Sequence, residues 1–167
     1  MTDEINTVAR SFIGKLADDL GTLISVQIKP IYDSLGIIVP VKSCSIIHCL
    51  NQYGQSSLAD LSKSLNQSHQ LVKQKLPKLL KLHLISVEKD YDDKRRMLYQ
   101  LTELGAFQAK LLNENSLEKV YQNLSLEVNA DLYAVLTAAI NGLKEKDLLT
   151  RFQQQNTPLK NNYEQRK

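Results

Sequence analysis

Residues 57–102 read SLADLSKSLNQSHQLVKQKLPKLLKLHLISVEKDYDDKRRMLYQLT, and this stretch decides the fold. Two short helical patterns come first, because apolar residues recur at three- and four-residue steps with polar residues between them. Two strand-like runs follow, and a charged segment separates them. The order of helix, turn, helix and hairpin predicts a winged helix-turn-helix.

Small polar residues mark the ends of these two helices. Ser56 or Ser57 is expected to cap the first helix, and Asn66 is expected to end it. Ser68 caps the second helix, which is predicted over residues 69–82. About three residues therefore join the helices, which is the separation typical of a helix-turn-helix.

Positive charge is concentrated in the second helix and the hairpin. The whole chain has 167 residues and a net charge of +3. Residues 73–96 alone hold eight Lys and Arg against four acidic residues, a net charge of +4. The positive residues are Lys73, Lys75, Lys78, Lys81, Lys89, Lys94, Arg95 and Arg96. This distribution favours an acidic partner for this one surface.

Long apolar stripes at helical spacing lie on either side of this region. Residues 3–29 form one such pattern, which Pro30 should end or bend, and a helix over residues 41–53 follows it. Residues 104–124 are again helical after a cap at Thr102. Such stripes hold more apolar surface than one small domain covers, which indicates burial against a partner chain.

The end of the chain is predicted as one more helix and a polar tail. Ser125 is expected to cap the last helix, whose apolar positions continue to Leu148. Residues 156–167 are polar and are expected to fray.

The predicted fold class is mainly α with a small β-hairpin. A winged helix-turn-helix DNA-binding domain is expected over residues 41–102. A helical dimerisation region is expected from the N- and C-terminal helices, residues 1–35 and 103–155.

Several other protein classes have little support in the sequence. No apolar run approaches the length of about 20 residues that a membrane span needs, and the N-terminus is unlike a signal peptide, so a cytoplasmic protein is expected. The three histidines are scattered, and no nucleophile elbow, P-loop or zincin spacing occurs. We therefore expect no enzyme, no catalytic residues and no cofactor.

The two cysteines leave a sensor alternative open. Cys44 and Cys49 are five residues apart on a predicted helix and cannot readily form a disulfide with each other. Cys44 and His48 are four apart and could form half a zinc site, but the sequence offers no evident second half. No metal ligands are therefore assigned, and a metal- or thiol-responsive regulator remains an alternative.

One motif resembles a known family. Asp93-Lys94-Arg95 precedes Leu101-Thr102-Glu103-Leu104-Gly105, and this spacing is similar to the wing signature of the multiple antibiotic resistance regulator (MarR) family of winged helix-turn-helix transcription regulators. The resemblance covers about residues 5–150. It implies a homodimer with one DNA-reading head per subunit. It also implies a cleft for a small aromatic or other apolar effector.

Two residues depart from the family pattern. His83 stands where the family usually has Gly before the first wing strand, so this turn must form without a free left-handed residue. Pro77 lies inside the second helix, where it removes one backbone hydrogen bond and can kink the helix. The directions of Lys78 and Lys81 depend on that kink.

The recognition helix and the hairpin supply the candidate DNA contacts. Gln70 and Gln74 suit adenine edges in the major groove, while His69 and Lys73 suit guanine or phosphate. Serine hydroxyls and Gln67 can donate to phosphates. The predicted DNA-binding set is Ser57, Gln67, Ser68, His69, Gln70, Lys73, Gln74, Lys78, Lys89, Lys94, Arg95 and Arg96.

The hairpin tip has a separate predicted role. Lys94, Arg95 and Arg96 cluster there, and Arg95 is the candidate for entry into the minor groove. Asp93 is expected to orient Arg95 or to hold the hairpin backbone.

The predicted function is a homodimeric, effector-responsive transcription regulator, a repressor, that binds a pseudopalindromic site in double-stranded DNA. A winged-helix protein-interaction module without DNA binding is a further alternative. A steep loss of affinity with salt separates a DNA reader from such a module.

Overall fold

The structure is a computed structural model that describes residues 10–155. The predicted helix start at residue 3 and the tail over residues 156–167 lie outside the described residues. The chain divides into two compact units, with the boundary between Asn115 and Ser116.

The first unit combines five α-helices with a small sheet over its described residues. A 3-10 turn at Arg10–Phe12 precedes the first helix, and a second 3-10 turn at Val41–Ser43 precedes the second helix. The elements in chain order are α1 (Ile13–Leu35), α2 (Cys44–Tyr53), β1 (Ser56–Ser57), α3 (Leu58–Leu65), α4 (His69–Lys81), β2 (Ile85–Lys89), β3 (Met97–Leu101) and α5 (Glu103–Glu114).

The second unit contains three further helices in its described part. They are α6 (Glu118–Glu127), α7 (Leu132–Glu145) and α8 (Leu148–Gln155). The predicted fold class is confirmed as mainly α with a winged helix-turn-helix, and the hairpin belongs to a three-stranded antiparallel sheet.

The sheet has the order β1-β3-β2, so the predicted hairpin gains a short third strand. Ser56 pairs with Tyr99 and Ser57 with Leu98 across β1 and β3. The two residues of β1 are too few to show an alternating pattern in the sequence. They form a strand only because they pair with β3.

The core of the first unit lies where α2, α3, α4 and β2 meet. The side chains with less than 2% of their surface exposed are Ile46, Ile47, Leu61, Val72, Leu79 and Leu84. Each helix contributes the residues that the three- and four-residue spacing predicted. This shared core holds the two helices of the helix-turn-helix against the start of the hairpin.

The predicted turn between α3 and α4 is confirmed. Ser57 caps α3 and Ser68 caps α4, each with a side-chain oxygen that accepts a backbone N–H bond. Asn66 ends α3 in the left-handed conformation, with φ of 51°. Asparagine tolerates that conformation better than most residues. Gly54 ends α2 at φ of 74°.

The structure narrows the prediction for Pro30, which was expected to end or bend the first helix. Pro30 does not end α1, which continues to Leu35 and stops at Gly36, where φ is 70°. A bend at Pro30 stays a prediction, because proline removes one backbone hydrogen bond and crowds the carbonyl four residues before it.

Ser125 is not a helix cap, because it lies inside α6, and Asp131 caps the following helix instead. The hydroxyl of Ser125 accepts the N–H of Leu132 at 3.2 Å. The predicted last helix is therefore two helices, α7 and α8.

The two departures from the family pattern have different outcomes. α4 runs unbroken from His69 to Lys81 with Pro77 inside it. His83 occupies the left-handed region with φ of 53°, so this position needs the conformation that glycine adopts freely. Its carbonyl accepts a bond of 2.6 Å from the hydroxyl of Thr102, which ties the turn to the start of α5.

Candidate DNA-binding surface

The outward side of α4 carries exposed polar and charged side chains, which we call the reading face: His69, Gln70, Lys73, Gln74 and Lys78. The opposite side of the helix packs into the core through Val72, Leu76 and Leu79. A helix anchored in this way can offer its polar side to the major groove, which is wide enough to admit a helix. The structure therefore brings these five predicted residues together on one surface.

The turn before α4 holds two further predicted residues. The hydroxyl oxygen of Ser68 accepts the N–H of Leu71 at 3.3 Å, so this side chain serves the helix start. Gln67 Oε1 accepts a bond of 2.9 Å from Lys75 Nζ. Lys75 was not among the predicted contacts.

Ser57 caps α3 as predicted, and the same contacts bear on its predicted role at a DNA phosphate. The residue is only 3% exposed, and its hydroxyl takes part in a capping box with Asp60. Ser57 Oγ donates to Asp60 Oδ2 at 2.7 Å and accepts the N–H of Asp60 at 3.2 Å. The hydroxyl of Ser57 is thus engaged inside the protein, and its predicted phosphate contact stays a prediction.

Arg96 ends the hairpin tip, and its side chain contacts the start of α3. Its guanidinium forms an ion pair with the carboxylate of Asp60 and donates to Ser57 Oγ at 3.2 Å. Arg96 Nε lies 3.9 Å from Asp90 Oδ2. Arg96 therefore joins the tip of the hairpin, at the point where β3 begins, to the start of α3. Its predicted DNA contact stays a prediction, and Lys94 and Arg95 are the other cations of the tip.

The hydrogen bonds around Asp60 perturb its acidity. Its bonds with the hydroxyl and the N–H of Ser57, and then the charge of Arg96, lower the pKa of Asp60 to about 2. The carboxylate stays charged at any pH at which the protein would bind DNA.

The hairpin tip is a turn held by carboxylates. Asp93 Oδ1 accepts the N–H of Arg95 at 3.0 Å, and the Asp93 carbonyl accepts the N–H of Arg96 at 2.8 Å. Asp90 Oδ1 accepts the N–H of Asp92 at 2.9 Å. Asp93 was predicted either to orient Arg95 or to hold the hairpin backbone. These hydrogen bonds to backbone N–H groups match the second role.

Lys89, Lys94 and Arg95 are exposed along the hairpin, as a contact to DNA requires. Tyr91, at the same tip, was not predicted, although it is 94% exposed. The sequence did hold a signal for an exposed Tyr91, because this aromatic residue lies between two aspartates in the loop.

Lys42 and Lys75 were missed for a different reason. The 3-10 turn Val41–Ser43 packs against α4, and this contact between remote segments brings the two lysines near each other. Partial burial, and then the positive charge of Lys42, lower the pKa of Lys75. Spacing in the sequence carries no signal for such a pair.

The cysteines lie within the first unit. Cys44 Sγ is 3.4 Å from the Tyr32 hydroxyl, and burial raises the pKa of both the Cys44 and the Cys49 thiols. Both cysteines are free.

Within residues 10–155, no group of three or more His, Cys, Asp and Glu side chains is placed to hold a metal ion. Over the same residues, no helix has the length and apolar character needed to cross a bilayer.

Residues 43–105 match the family described as winged helix DNA-binding domain. These residues contain α2, the helix-turn-helix, the hairpin and the start of α5. Curated protein sequences gave no match to the chain.

Solved structures share the fold over most of the chain. A MepR-like protein complexed with pseudoligands is 21% identical, with a TM-score of 0.57, and the match covers 80% of this chain and 96% of that one. The reduced form of MarR from E. coli is 17% identical, with a TM-score of 0.54 and coverages of 83% and 98%.

The heme sensor protein PefR from Streptococcus agalactiae, in complex with heme, is 15% identical, with a TM-score of 0.54 and coverages of 90% and 98%. At these identities the likeness is one of fold, which the chain shares with these structures over most of its length. The chain is therefore similar to a winged helix DNA-binding domain over residues 43–105, within a fold like that of the MarR structure.

Proposed function

We propose that this chain is a sequence-specific DNA-binding transcription regulator that acts as a homodimeric repressor. The observation that carries the proposal is the reading face of α4, exposed beside a hairpin that presents Lys89, Lys94 and Arg95. The match of residues 43–105 to a winged helix DNA-binding domain supports the same function. Base contacts would come from α4, and the hairpin would reach the minor groove.

The dimer is proposed from exposed apolar side chains. Phe12, Ile13, Leu16, Leu23 and Val26 are exposed on α1 or in the turn before it. Tyr133, Val135, Leu136, Ile140 and Leu143 are exposed on α7. Apolar surface on this scale favours burial against a second copy. Residues 1–35 and 103–155 are the proposed dimerisation region, and residues 41–102 the proposed reading head.

The effector is proposed as a small aromatic or other apolar molecule. The structures of the MepR-like protein and of PefR were solved with pseudoligands and with heme, respectively, which supports a ligand for this fold. The effector would change the spacing of the two heads and so change DNA affinity. The thiol-responsive alternative has less support, because burial raises the pKa of both cysteines and leaves the thiols protonated.

The first experiment selects bound duplexes from a random library and then compares variants on the selected site. Arg95→Ala should weaken binding about tenfold or more, because a basic side chain in a narrow minor groove meets strong negative potential. Lys110→Ala in α5 is the matched control, because it removes the same charge from an exposed pair with Glu114. Equal affinity of the Arg95 variant and the wild type in a gel-shift titration would remove the hairpin from the mechanism.

Salt dependence separates DNA reading from a protein-interaction module. Affinity for the selected duplex should fall steeply between about 50 and 200 mM salt, because phosphate contacts release counterions. A flat response would favour the interaction module.

A further inference from the structure

Lys42 and Lys75 form a basic pair beside the reading face. Lys42 lies in the 3-10 turn Val41–Ser43, which packs against α4. Lys75 lies on α4 and donates a bond of 2.9 Å to Gln67 Oε1. Three segments of the first unit thus converge at one point: the turn before α2, the turn before α4, and α4 itself.

The charge at this point is not neutralised by the protein. In the described part of the chain, neither ammonium group has a carboxylate oxygen within ion-pair distance. Lys75 is half-buried, and its ammonium group donates a hydrogen bond to a neutral amide, that of Gln67. A half-buried ammonium group without a carboxylate partner costs free energy, which an anion beside Lys75 would recover.

The position of the pair fits the path of a DNA strand. Lys75 lies about 100° around the helix from Gln74, between Lys78 at the edge of the reading face and Leu79 on the side packed into the core. Lys75 and Lys78 therefore mark the same edge of the reading face. When a helix occupies the major groove, the sugar-phosphate strands pass along its two flanks. One of those strands would therefore pass beside Lys42 and Lys75.

We propose that Lys42, Lys75 and the amide of Gln67 form a site for one backbone phosphate of double-stranded DNA. The proposal rests on the proposed DNA-binding function and adds residues to its footprint. Gln67 orients the ammonium group of Lys75, and the NH2 group of the same amide remains as a second donor. A phosphate held here would set the register of the head on the duplex without reading its sequence.

The test is a salt titration of binding to two duplexes, the selected site and a mixed-sequence duplex of the same length. Lys42→Gln and Lys75→Gln should each weaken binding to both duplexes by a similar factor. Each should flatten the slope of log K against log salt by about 1 per bound head. The double variant should weaken binding by less than the product of the two single effects, because both lysines act on one phosphate.

Two further variants control for charge and folding. Lys75→Arg keeps the positive charge and should keep the slope, whereas Lys110→Gln removes a charge elsewhere and should also keep it. Far-ultraviolet circular dichroism of each variant reports whether α4 is intact.

The outcomes separate the two proposals. A wild-type protein that binds neither duplex overturns the proposed function. A wild-type protein with a steep slope that Lys42→Gln and Lys75→Gln leave unchanged overturns the phosphate site alone. If inorganic phosphate raises the unfolding temperature of the wild type but not of these variants, while the DNA slopes stay equal, the site binds free phosphate and not the duplex, and the DNA assignment is wrong.

Discussion

Asp60 is the residue at which the start of α3 is joined to the hairpin. Its carboxylate bonds to Ser57 within the capping box and pairs with Arg96 from the other end of the reading head. Asp60→Asn should lower the free energy of unfolding at pH 7 by about 1 kcal/mol, the usual effect of a lost cap. Asp33→Asn is the control, because Asp33 forms only an exposed pair with Lys29 and should change stability by less than about 0.5 kcal/mol.

The contribution of Asp60 should also depend on pH. The pKa of Asp60 is lowered from 3.8 to about 2 in the folded protein, so the unfolded chain binds the proton more readily. The stabilisation is therefore complete above about pH 4 and is lost as the pH falls toward 2. Urea unfolding at several pH values should show the difference between wild type and Asp60→Asn shrinking over that range. A difference that stays constant would contradict this account.

His83 carries a backbone cost that glycine would remove. Its φ of 53° is in the left-handed region, where a side chain costs about 1–2 kcal/mol. His83→Gly should raise the free energy of unfolding by about 0.5–1 kcal/mol, since the greater freedom of glycine in the unfolded chain offsets part of the gain. Asn66→Gly should gain less, because asparagine already tolerates this conformation. Chemical denaturation measures both, and a loss of stability in His83→Gly would show that the imidazole makes a compensating contact.

At the scale of elements, the start of α5 must approach the end of the α4–β2 turn closely. A Cβ atom on Gly105 would lie 1.9 Å from the carbonyl oxygen of Leu84, which is backbone and cannot swing away. Gly105→Ala should therefore destabilise the protein by about 3 kcal/mol or more, at the upper end of overpacking effects. Gly142→Ala in α7 is the control, because the added Cβ meets only Arg151 Nη2 at 3.6 Å. Thermal unfolding distinguishes the two, and equal melting temperatures would contradict the close approach.

The elements that sequence predicted well are those defined by neighbours within a few residues. The ends of α3 and α4 follow from Ser57, Asn66 and Ser68, whose side chains act on the adjacent turn. The break between α6 and α7 was predicted too early, at Ser125, because this serine resembles a cap. The break between α7 and α8 was missed because the apolar stripe continues across it. The strand β1 was missed because two residues become a strand only through pairing with β3.

At the scale of the whole molecule, apolar side chains on α7 should be buried between two copies. Replacing Leu136 and Ile140 by Lys should shift the protein from dimer to monomer in analytical ultracentrifugation, because each copy would place charges in an apolar interface. Asn141→Lys lies about 100° around the helix from Ile140 and is the control. A wild-type protein that sediments as a monomer at micromolar concentration would remove the dimer from the proposed function.

The candidate site shows the same limit of sequence reasoning over longer distances. The exposed face of α4 and the basic hairpin followed from spacing and charge. The pairing of Arg96 with Asp60 spans 36 positions, and that of Lys42 with Lys75 depends on how the 3-10 turn packs. Cations that look equivalent in the sequence thus have different environments in the fold. Arg96 pairs with Asp60, Lys75 is half-buried near Lys42, and Lys94 and Arg95 are exposed at the hairpin tip.

Ser57 ends β1 and also caps α3, so no connecting residue lies between the sheet and the first helix of the head. Ser56 and Ser57 are paired with Tyr99 and Leu98 on β3, the strand that returns from the hairpin tip. Without a flexible link, the hairpin cannot tilt unless the helix pair tilts with it. In the proposed regulator, an effector would therefore rotate this head as one rigid body. The rotation would change where the head binds on the duplex and would leave the arrangement of its contact residues the same.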